Sequence, residues 1–128
     1  LISTSNPFSK SGFVANDTDI AAFTPTSLGN TTTGTWSIYF DGSDAGLSAR
    51  TGEDIDALEV TSNGNIYLST AGDFAVTGIS GSDEDVFLCV PTSIGTTTAC
   101  NYAPTLYFDG STWGLSANDV DAFQLLQP

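Results

Sequence analysis

Acidic side chains recur in closely spaced pairs along this chain of 128 residues. Residues i and i+2 of a β-strand point to the same side, so an Asp-x-Asp pair presents two like charges together. A cation between the two carboxylates would relieve their repulsion, and Ca²⁺ binds oxygen ligands. We therefore predict a Ca²⁺ site at one or more pairs; the alternative is that these residues shape turns and accept backbone N–H bonds. The candidate ligands are Asp17, Asp19, Asp54, Asp56, Asp83, Asp85, Asp119 and Asp121.

The composition excludes several function classes. There is no His, which rules out Ser-His-Asp and Cys-His catalysis and every His-ligated metal site. Only 2 Lys or Arg stand against 15 Asp or Glu, a net charge of −13, so a nucleic acid or an anionic membrane surface is not expected as a partner. No apolar run approaches the roughly 20 residues of a membrane-spanning helix. A glycosidase needs two carboxyl groups around a sugar cleft, and no motif suggests one. We predict that the chain is not an enzyme.

The two cysteines bear on the environment. Cys89 and Cys100 flank the turn-forming residues 91–95, so they could face each other across a hairpin. A free-thiol pair is the alternative to a disulfide, which would contribute about 3 kcal/mol and would be typical of an extracellular or cell-surface protein. The sequons at Asn16 and Asn30 are candidate glycosylation sites, or chance in a Thr-rich chain. Because the chain begins with Leu1, we expect a processed chain or a piece of a longer one.

Self-similarity is the strongest pattern in the sequence. Residues 23–29 (FTPTSLG) recur as residues 89–95 (CVPTSIG), at an offset of 66 positions. Residues 39–43 (YFDGS), 46–49 (GLSA) and 54–58 (DIDAL) recur as residues 107–111, 114–117 and 119–123. No Pro- or Gly-rich linker separates the two copies. We predict one structural body of two repeats, approximately residues 1–62 and 63–128.

Every segment of the unit has the composition of a strand, with Val, Ile, Tyr, Phe and Thr between turn residues. Asn63-Gly64 predicts a hairpin between two of the strands. Several segments are apolar on both faces, which predicts stacked antiparallel sheets. The predicted fold is all-β, with two ~65-residue antiparallel repeats related by a pseudo-two-fold in a propeller-blade-like or sandwich arrangement. The predicted strands are 20–24 with 86–90, 36–40 with 105–108, 55–60 with 120–126, and 66–70 with 1–4.

The first and last predicted strands each lack the hairpin partner that the other offers. The first could pair with the last of its own chain and close the structure, or with the last of the next chain. An unpaired apolar edge is otherwise prone to aggregation, so we expect one of the two. With only two repeats, pairing between chains is favoured over a closed ring. The residues involved are Leu1, Ile2, Ser3, Thr4, Val120, Ala122, Phe123 and Leu125.

The motifs at residues 23–29, 39–44 (YFDGSD) and 53–58 (EDIDAL) resemble a tandem repeat of predicted secreted bacterial proteins. The resemblance covers nearly the whole chain and implies a propeller-type or related all-β fold. It implies no activity, and the family supplies no catalytic residue. That family usually has more than two copies, which argues against a self-contained propeller here.

These observations predict an extracellular structural subunit. Identical subunits would be its partners, joined head to tail by strand pairing into a fibre or surface assembly. The alternative is a calcium-dependent module that binds carbohydrate or a cell surface. Trp113 could stack on a sugar, but we favour a place over a hairpin or at a seam between subunits.

Overall fold

The computed structural model describes residues 1–126, whose regular structure is β-sheet apart from one short 3₁₀-helix, Gly110–Trp113. The all-β prediction is therefore confirmed. The strands are β1 (Phe8–Lys10), β2 (Phe13–Ala15), β3 (Ile20–Ser27), β4 (Thr33–Phe40), β5 (Ile55–Val60), β6 (Ile66–Thr70), β7 (Phe74–Val76), β8 (Ile79–Gly81), β9 (Phe87–Ser93) and β10 (Ala99–Tyr102). No helix within these residues is long and apolar enough to cross a membrane.

The largest sheet has four antiparallel strands in the order β10-β9-β6-β5. Strands β5 and β6 have the predicted bounds and meet at the predicted Asn63-Gly64 turn, where Gly64 adopts a φ of 84° that favours glycine. The β7–β8 hairpin interrupts the chain between β6 and β9 and forms a sheet of its own. This large sheet crosses the predicted repeat boundary, because β5 precedes residue 62 and its other three strands follow it.

Two further hairpins, β1–β2 and β3–β4, form the N-terminal part of the fold. In β3–β4 the register places Ile20 opposite Phe40 and Phe23 opposite Trp36. Single bridges join Ile2 to Ala21 and Val86 to Phe108. No sheet within residues 1–126 closes on itself, so the architecture is a set of small antiparallel sheets.

Three predicted strands are absent from the structure. Residues 105–108 make only the bridge at Phe108, because Pro104 lacks the N–H that a continued ladder needs; β10 lies earlier, at Ala99–Tyr102. Residues 1–4 make only the bridge at Ile2. Residues 120–126 form no strand: the Val120 N–H donates to the carbonyl oxygen of Asp83, and residues 121–123 line a cavity with residues 1–3 and 56–58 without pairing with either segment.

One face of the large sheet packs on the core, and the other is only partly covered. In β9 the side chains of Phe87 and Cys89 are fully buried, whereas Leu88 is half-buried and Val90 is 41% exposed. The apolar pattern of residues 86–90 predicts that both faces are covered, which holds at Val86, 3% exposed, but is wrong at Val90. The disulfide between Cys89 and Cys100 is confirmed, with Cα atoms 5.4 Å apart. The core consists of Ile20, Phe40, Ala45, Leu47, Ile55, Ile66, Leu68, Phe74, Phe87 and Cys89.

Candidate functional site

The turn before β3 and the turn before β9 have the same pattern of hydrogen bonds. The Asp19 carboxylate accepts N–H bonds from Asn16 at 2.8 Å and from Gly42 at 3.0 Å. The Asp85 carboxylate accepts N–H bonds from Ser82 at 2.9 Å and from Gly110 at 3.0 Å. Both carboxylates are buried, and the backbone amides supply the partners that burial requires.

Gly42 and Gly110, whose N–H groups bind these turns, must be glycines because the backbone of the turn lies very close to each of them. A Cβ on Gly42 would overlap the Thr18 carbonyl oxygen, and one on Gly110 would overlap the Glu84 carbonyl oxygen. No side chain fits in either place. The Asp-Gly pairs at 41–42 and 109–110 therefore bring the loops that begin there onto the turns before β3 and β9.

The first of these loops covers a surface that we call the Phe74 face, formed by Phe74, Phe87 and Tyr102. Phe74 is only 1% exposed and stacks on Phe87 with ring centroids 4.0 Å apart. The Tyr102 hydroxyl donates to the carbonyl oxygen of Ala45 at 2.8 Å. Burial and the charge of Glu53 raise the pKa of the Tyr102 phenol well above its usual range, so it stays a donor. The loop is thereby fixed over the face.

Glu53 holds the far end of the same loop. Its carboxylate is completely buried and accepts backbone N–H bonds from Ala49 at 2.8 Å, Arg50 at 2.9 Å and Ala75 at 3.0 Å. The first two donors lie in the loop, and the third lies in β7 beside Phe74. One side chain therefore ties the loop to the hairpin that it covers.

A second aromatic surface, which we call the aromatic groove, is formed by Phe8, Phe13, Phe23 and Trp36. Trp36 lies at its centre, with ring centroids 5.2 Å from Phe8, 6.0 Å from Phe13 and 4.7 Å from Phe23. All four rings are half-buried, and the groove has a volume of about 880 Å³. Lys10 also lines it.

The loop after residue 108 presents a tryptophan to solvent. Its backbone has the same hydrogen bond as the loop over the Phe74 face. In that first loop the Leu47 N–H donates to the carbonyl oxygen of Gly42 at 2.8 Å, and in this second loop the Leu115 N–H donates to that of Gly110 at 3.0 Å. The side chain two positions earlier differs, because Ala45 is 7% exposed and Trp113 is 77% exposed. Trp113 therefore projects from a loop of defined geometry.

The N-terminal segment forms a sheet edge beside β3. Ile2 and Ala21 exchange two backbone hydrogen bonds of 2.9 Å, at the position where Leu68 pairs with Phe87 in the large sheet. Leu68 also pairs with Leu58 of β5 on its other side and is fully buried. Ile2 is 44% exposed, and no strand within residues 1–126 pairs with its other side.

The C-terminal segment lies against its own chain without regular pairing. The Val120 N–H donates to Asp83 at 3.0 Å, and the Ser69 hydroxyl lies 2.7 Å from the Val120 carbonyl oxygen and 2.8 Å from Asp56 Oδ1. Within residues 1–126, Asp56 Oδ2 is buried without a partner. Burial and the nearby Asp119 carboxylate outweigh the hydrogen bond from Ser69 and raise the pKa of Asp56 to about 6.

The predicted Ca²⁺ ligands are spread over different environments. Asp19 and Asp85 are engaged by backbone amides, as above. Burial and the charge of Asp17 raise the pKa of Asp54, whereas Asp119 and Asp121 are exposed. Within residues 1–126, no group of three or more Asp, Glu, Cys or His is placed to hold a metal ion. Calcium binding stays a prediction, as do the two glycosylation sites, where Asn16 and Asn30 are exposed.

Sequence reasoning missed the aromatic groove and the role of Glu53. Phe13, Phe23 and Trp36 looked like ordinary strand residues, and only the pairing of their strands brings the rings together. Glu53 stood in the sequence beside a predicted metal pair, which concealed its function as an acceptor of amides. The difference between Ala45 and Trp113 in otherwise similar loops was the one available signal for an exposed aromatic side chain in the second loop.

No protein-family model matches the chain, and no curated protein and no solved structure is similar to it.

Proposed function

We propose that this chain is an extracellular structural subunit whose copies join head to tail by strand addition. Residues 120–125 of one copy pair with the edge formed by residues 1–4 of the next. The observation that carries the proposal is the backbone of Ile2, which pairs with Ala21 of β3 on one side and with no strand of residues 1–126 on the other. On that unpaired side, residues 1–3 line a cavity of about 330 Å³ together with residues 56–58 of β5 and residues 121–123 of the same chain. An exposed edge with apolar side chains is a template for another strand.

The register of this pairing follows from β5 and β6. There, Leu58 lies opposite Leu68 and Ala57 opposite Ser69, and a bulge before Ala57 places Ile55 opposite Thr70. The likeness of residues 54–58 to 119–123, and of residues 68–70 to 2–4, transfers this register to the contact between copies. The proposed opposite pairs are Phe123 with Ile2, Ala122 with Ser3, and Val120 with Thr4.

Burial supports the same register. Ser69 and Thr70, which lie next to β5 in the sheet, are fully buried, whereas Ser3 and Thr4 are half-buried and Ile2 is exposed. An added strand would pair with residues 1–4 as β5 pairs with β6 and would lower the exposure of Ile2. Since the contact uses different surfaces on the two copies, it can propagate into a fibre or a surface assembly.

Two further features support an extracellular setting. The Cys89–Cys100 disulfide is typical of proteins that fold outside the reducing cytosol. Asn16 and Asn30 are exposed and so accessible to a glycosylating host. The predicted alternative, a calcium-dependent binding module, has no support from the geometry of residues 1–126.

A mixed cross-linking experiment tests the strand pairing. One preparation carries Ile2→Cys and the other Phe123→Cys, so a heterodimer can form only between copies. Opposite residues in an antiparallel pair lie about 4.5–5.5 Å apart at Cα, within the range of a disulfide. The native cysteines are already bonded to each other, which leaves the introduced thiols free to react. We expect a disulfide-linked heterodimer when the two preparations are mixed at micromolar concentration and oxidised.

The matched control replaces Phe123→Cys by Gln124→Cys. That residue is one position further along and would point to the opposite face of the added strand. We expect little cross-linking to Ile2→Cys in this pair. Equal yields from both pairs, or a wild-type chain that remains monomeric at millimolar concentration in sedimentation, would overturn the proposal.

A further inference from the structure

We propose that Trp113 of one copy seats in the aromatic groove of the next copy and fixes the partner and the orientation of the assembly. This inference rests on the proposed head-to-tail contact and names its central side chain. The occupant of the groove is thus a second copy of this chain, through the loop that carries Trp113.

The contact has a template inside the chain. The loop with Ala45 and Glu53 covers the Phe74 face, and the strand that follows it, β5, pairs with β6 just before that face. The loop and the strand that follows it therefore both contact the same part of the chain, β6 and β7. Residues 113–115 and 120–125 stand in the same order along the chain. If 120–125 pairs with residues 1–4, the Trp113 loop faces the groove that follows residues 1–4.

The groove and the Phe74 face occupy corresponding places in their hairpins. Phe8 begins β1 as Phe74 begins β7, each as the first residue of a three-residue strand. Trp36 lies opposite Phe23 in β3–β4, and Tyr102 lies opposite Cys89 in β9–β10. Trp36 also carries a ring N–H donor, as Tyr102 carries a hydroxyl donor that binds the covering loop.

The sizes of the contact residues are complementary. Over the closely stacked Phe74 face the covering residue is the small Ala45, whereas the open groove would receive the large Trp113. An indole can pack edge-on or offset against several rings, and the groove offers four. A buried aromatic anchor surrounded by weaker contacts is the usual centre of an interface.

Charge favours the same pairing. A chain with a net charge of −13 repels its own copies, so a specific contact needs a local cation. Lys10, one of only two basic residues, lines the groove. The segment around Trp113 carries Asp109 and Asp119. Seating the loop would therefore bring the charge of Lys10 toward an acidic segment of the neighbouring copy.

Sedimentation equilibrium of the wild-type chain and of Trp113→Ala tests the inference. Loss of a central aromatic anchor typically weakens an interface by about 30- to 100-fold, and we expect this increase in the dissociation constant between copies. The tryptophan emission of the wild type should shift to shorter wavelength as its concentration rises. Because Trp113 is exposed in the single chain, the variant should unfold at the same temperature as the wild type.

Ile94→Ala is the matched control, because Ile94 is also an exposed large apolar residue, in the β9–β10 turn. It should associate like the wild type. If Trp113→Ala associates as tightly as the wild type while the Ile2→Cys and Phe123→Cys preparations still cross-link, the strand contact stands and the role of Trp113 is refuted. If the wild type does not associate, both proposals fail. If Ile94→Ala weakens association as much as Trp113→Ala, the contact is non-specific and the inference is refuted.

Discussion

The Phe74 face and the aromatic groove are built alike, but only one of them is covered. Each is formed by a short hairpin and by two aromatic residues of a longer hairpin. The loop with Ala45 and Glu53 closes over the first, so Phe74 is buried, whereas Phe8 and Trp36 remain half-buried. The comparison shows that burial here depends on a neighbouring loop rather than on the strands that carry the rings.

The loops themselves differ in how they are anchored. Glu53 binds three backbone amides, and one of these belongs to the hairpin under the loop. Asn118 stands at the corresponding place in the second loop and is exposed. A buried carboxylate with three donors fixes a loop strongly, because removing it leaves several amides without partners. The second loop is held at its start by the Gly110 N–H bond to Asp85 and just after its end by the Val120 N–H bond to the carbonyl oxygen of Asp83.

Alanine substitution of Phe74 in the Phe74 face and of Phe8 in the aromatic groove should give the largest difference in the free energy of unfolding between the two regions. We expect Phe74→Ala to lower the free energy of unfolding by about 3–5 kcal/mol, because it empties a packed core. Phe8→Ala should cost about 1 kcal/mol in a dilute, monomeric sample, because its ring is already partly hydrated. Urea unfolding measures both. Equal losses would mean that the groove is as well packed as the Phe74 face.

The anchors of the two loops provide the next contrast. Glu53→Ala should lower the free energy of unfolding by about 3 kcal/mol, since it removes the acceptor of three N–H groups and water can reach only some of them. Asn118→Ala, the matched control on the second loop, should change it by less than about 0.5 kcal/mol. Thermal unfolding of the two variants checks this. A Glu53→Ala protein of wild-type stability would show that the loop does not depend on its anchor.

The contact between Asp56 and Asp119 should give the smallest effect, through its pH dependence. The pKa of Asp56 is raised to about 6, so the folded chain binds more protons than the unfolded chain between about pH 4 and 6. Stability from this group is present at low pH and is lost as the pH rises through 6. Asp56→Asn should therefore stabilise the protein at pH 7 by about 1 kcal/mol, because it removes a partly buried charge and its repulsion by Asp119, and water screens part of both effects.

Melting temperatures of the wild type and of Asp56→Asn across pH 4 to 8 measure this effect. Ser48→Ala, at a residue that carries no charge, serves as a neutral control. The difference between Asp56→Asn and the wild type should shrink as the pH falls below 6. A constant difference at all pH values would show that the pKa of Asp56 is not raised in the folded chain.

Part of the fold could be predicted because the signals were local. The bounds of β5 and β6 followed from two apolar runs around Asn63-Gly64, whose turn needs a positive φ at the glycine. The disulfide followed from two cysteines on either side of a turn. In contrast, β10 has the sequence Ala-Cys-Asn-Tyr, which has a low strand propensity, and it forms because β9 offers it an edge. Residues 105–108 are better strand formers, but they follow a proline and make only one bridge.

The candidate site was less accessible to sequence reasoning. The acidic pairs suggested a cation, but Asp19 and Asp85 found backbone amides from loops more than 20 residues away. Nothing local distinguishes a carboxylate that binds a metal from one that binds such a loop. The hairpins β1–β2 and β7–β8 also escaped prediction, because strands of three residues carry too little periodicity to be recognised.

The sequence by itself determined the all-β class, the acidic surface without histidine, the disulfide and the central β5–β6 hairpin. These follow from composition and from residues close together in the chain. Only the tertiary structure decided which aromatic surface is covered, which carboxylates are satisfied and which edge stays open. Those outcomes depend on contacts between distant segments, where a single loop determines whether similar hairpins end in a packed core or in an exposed groove.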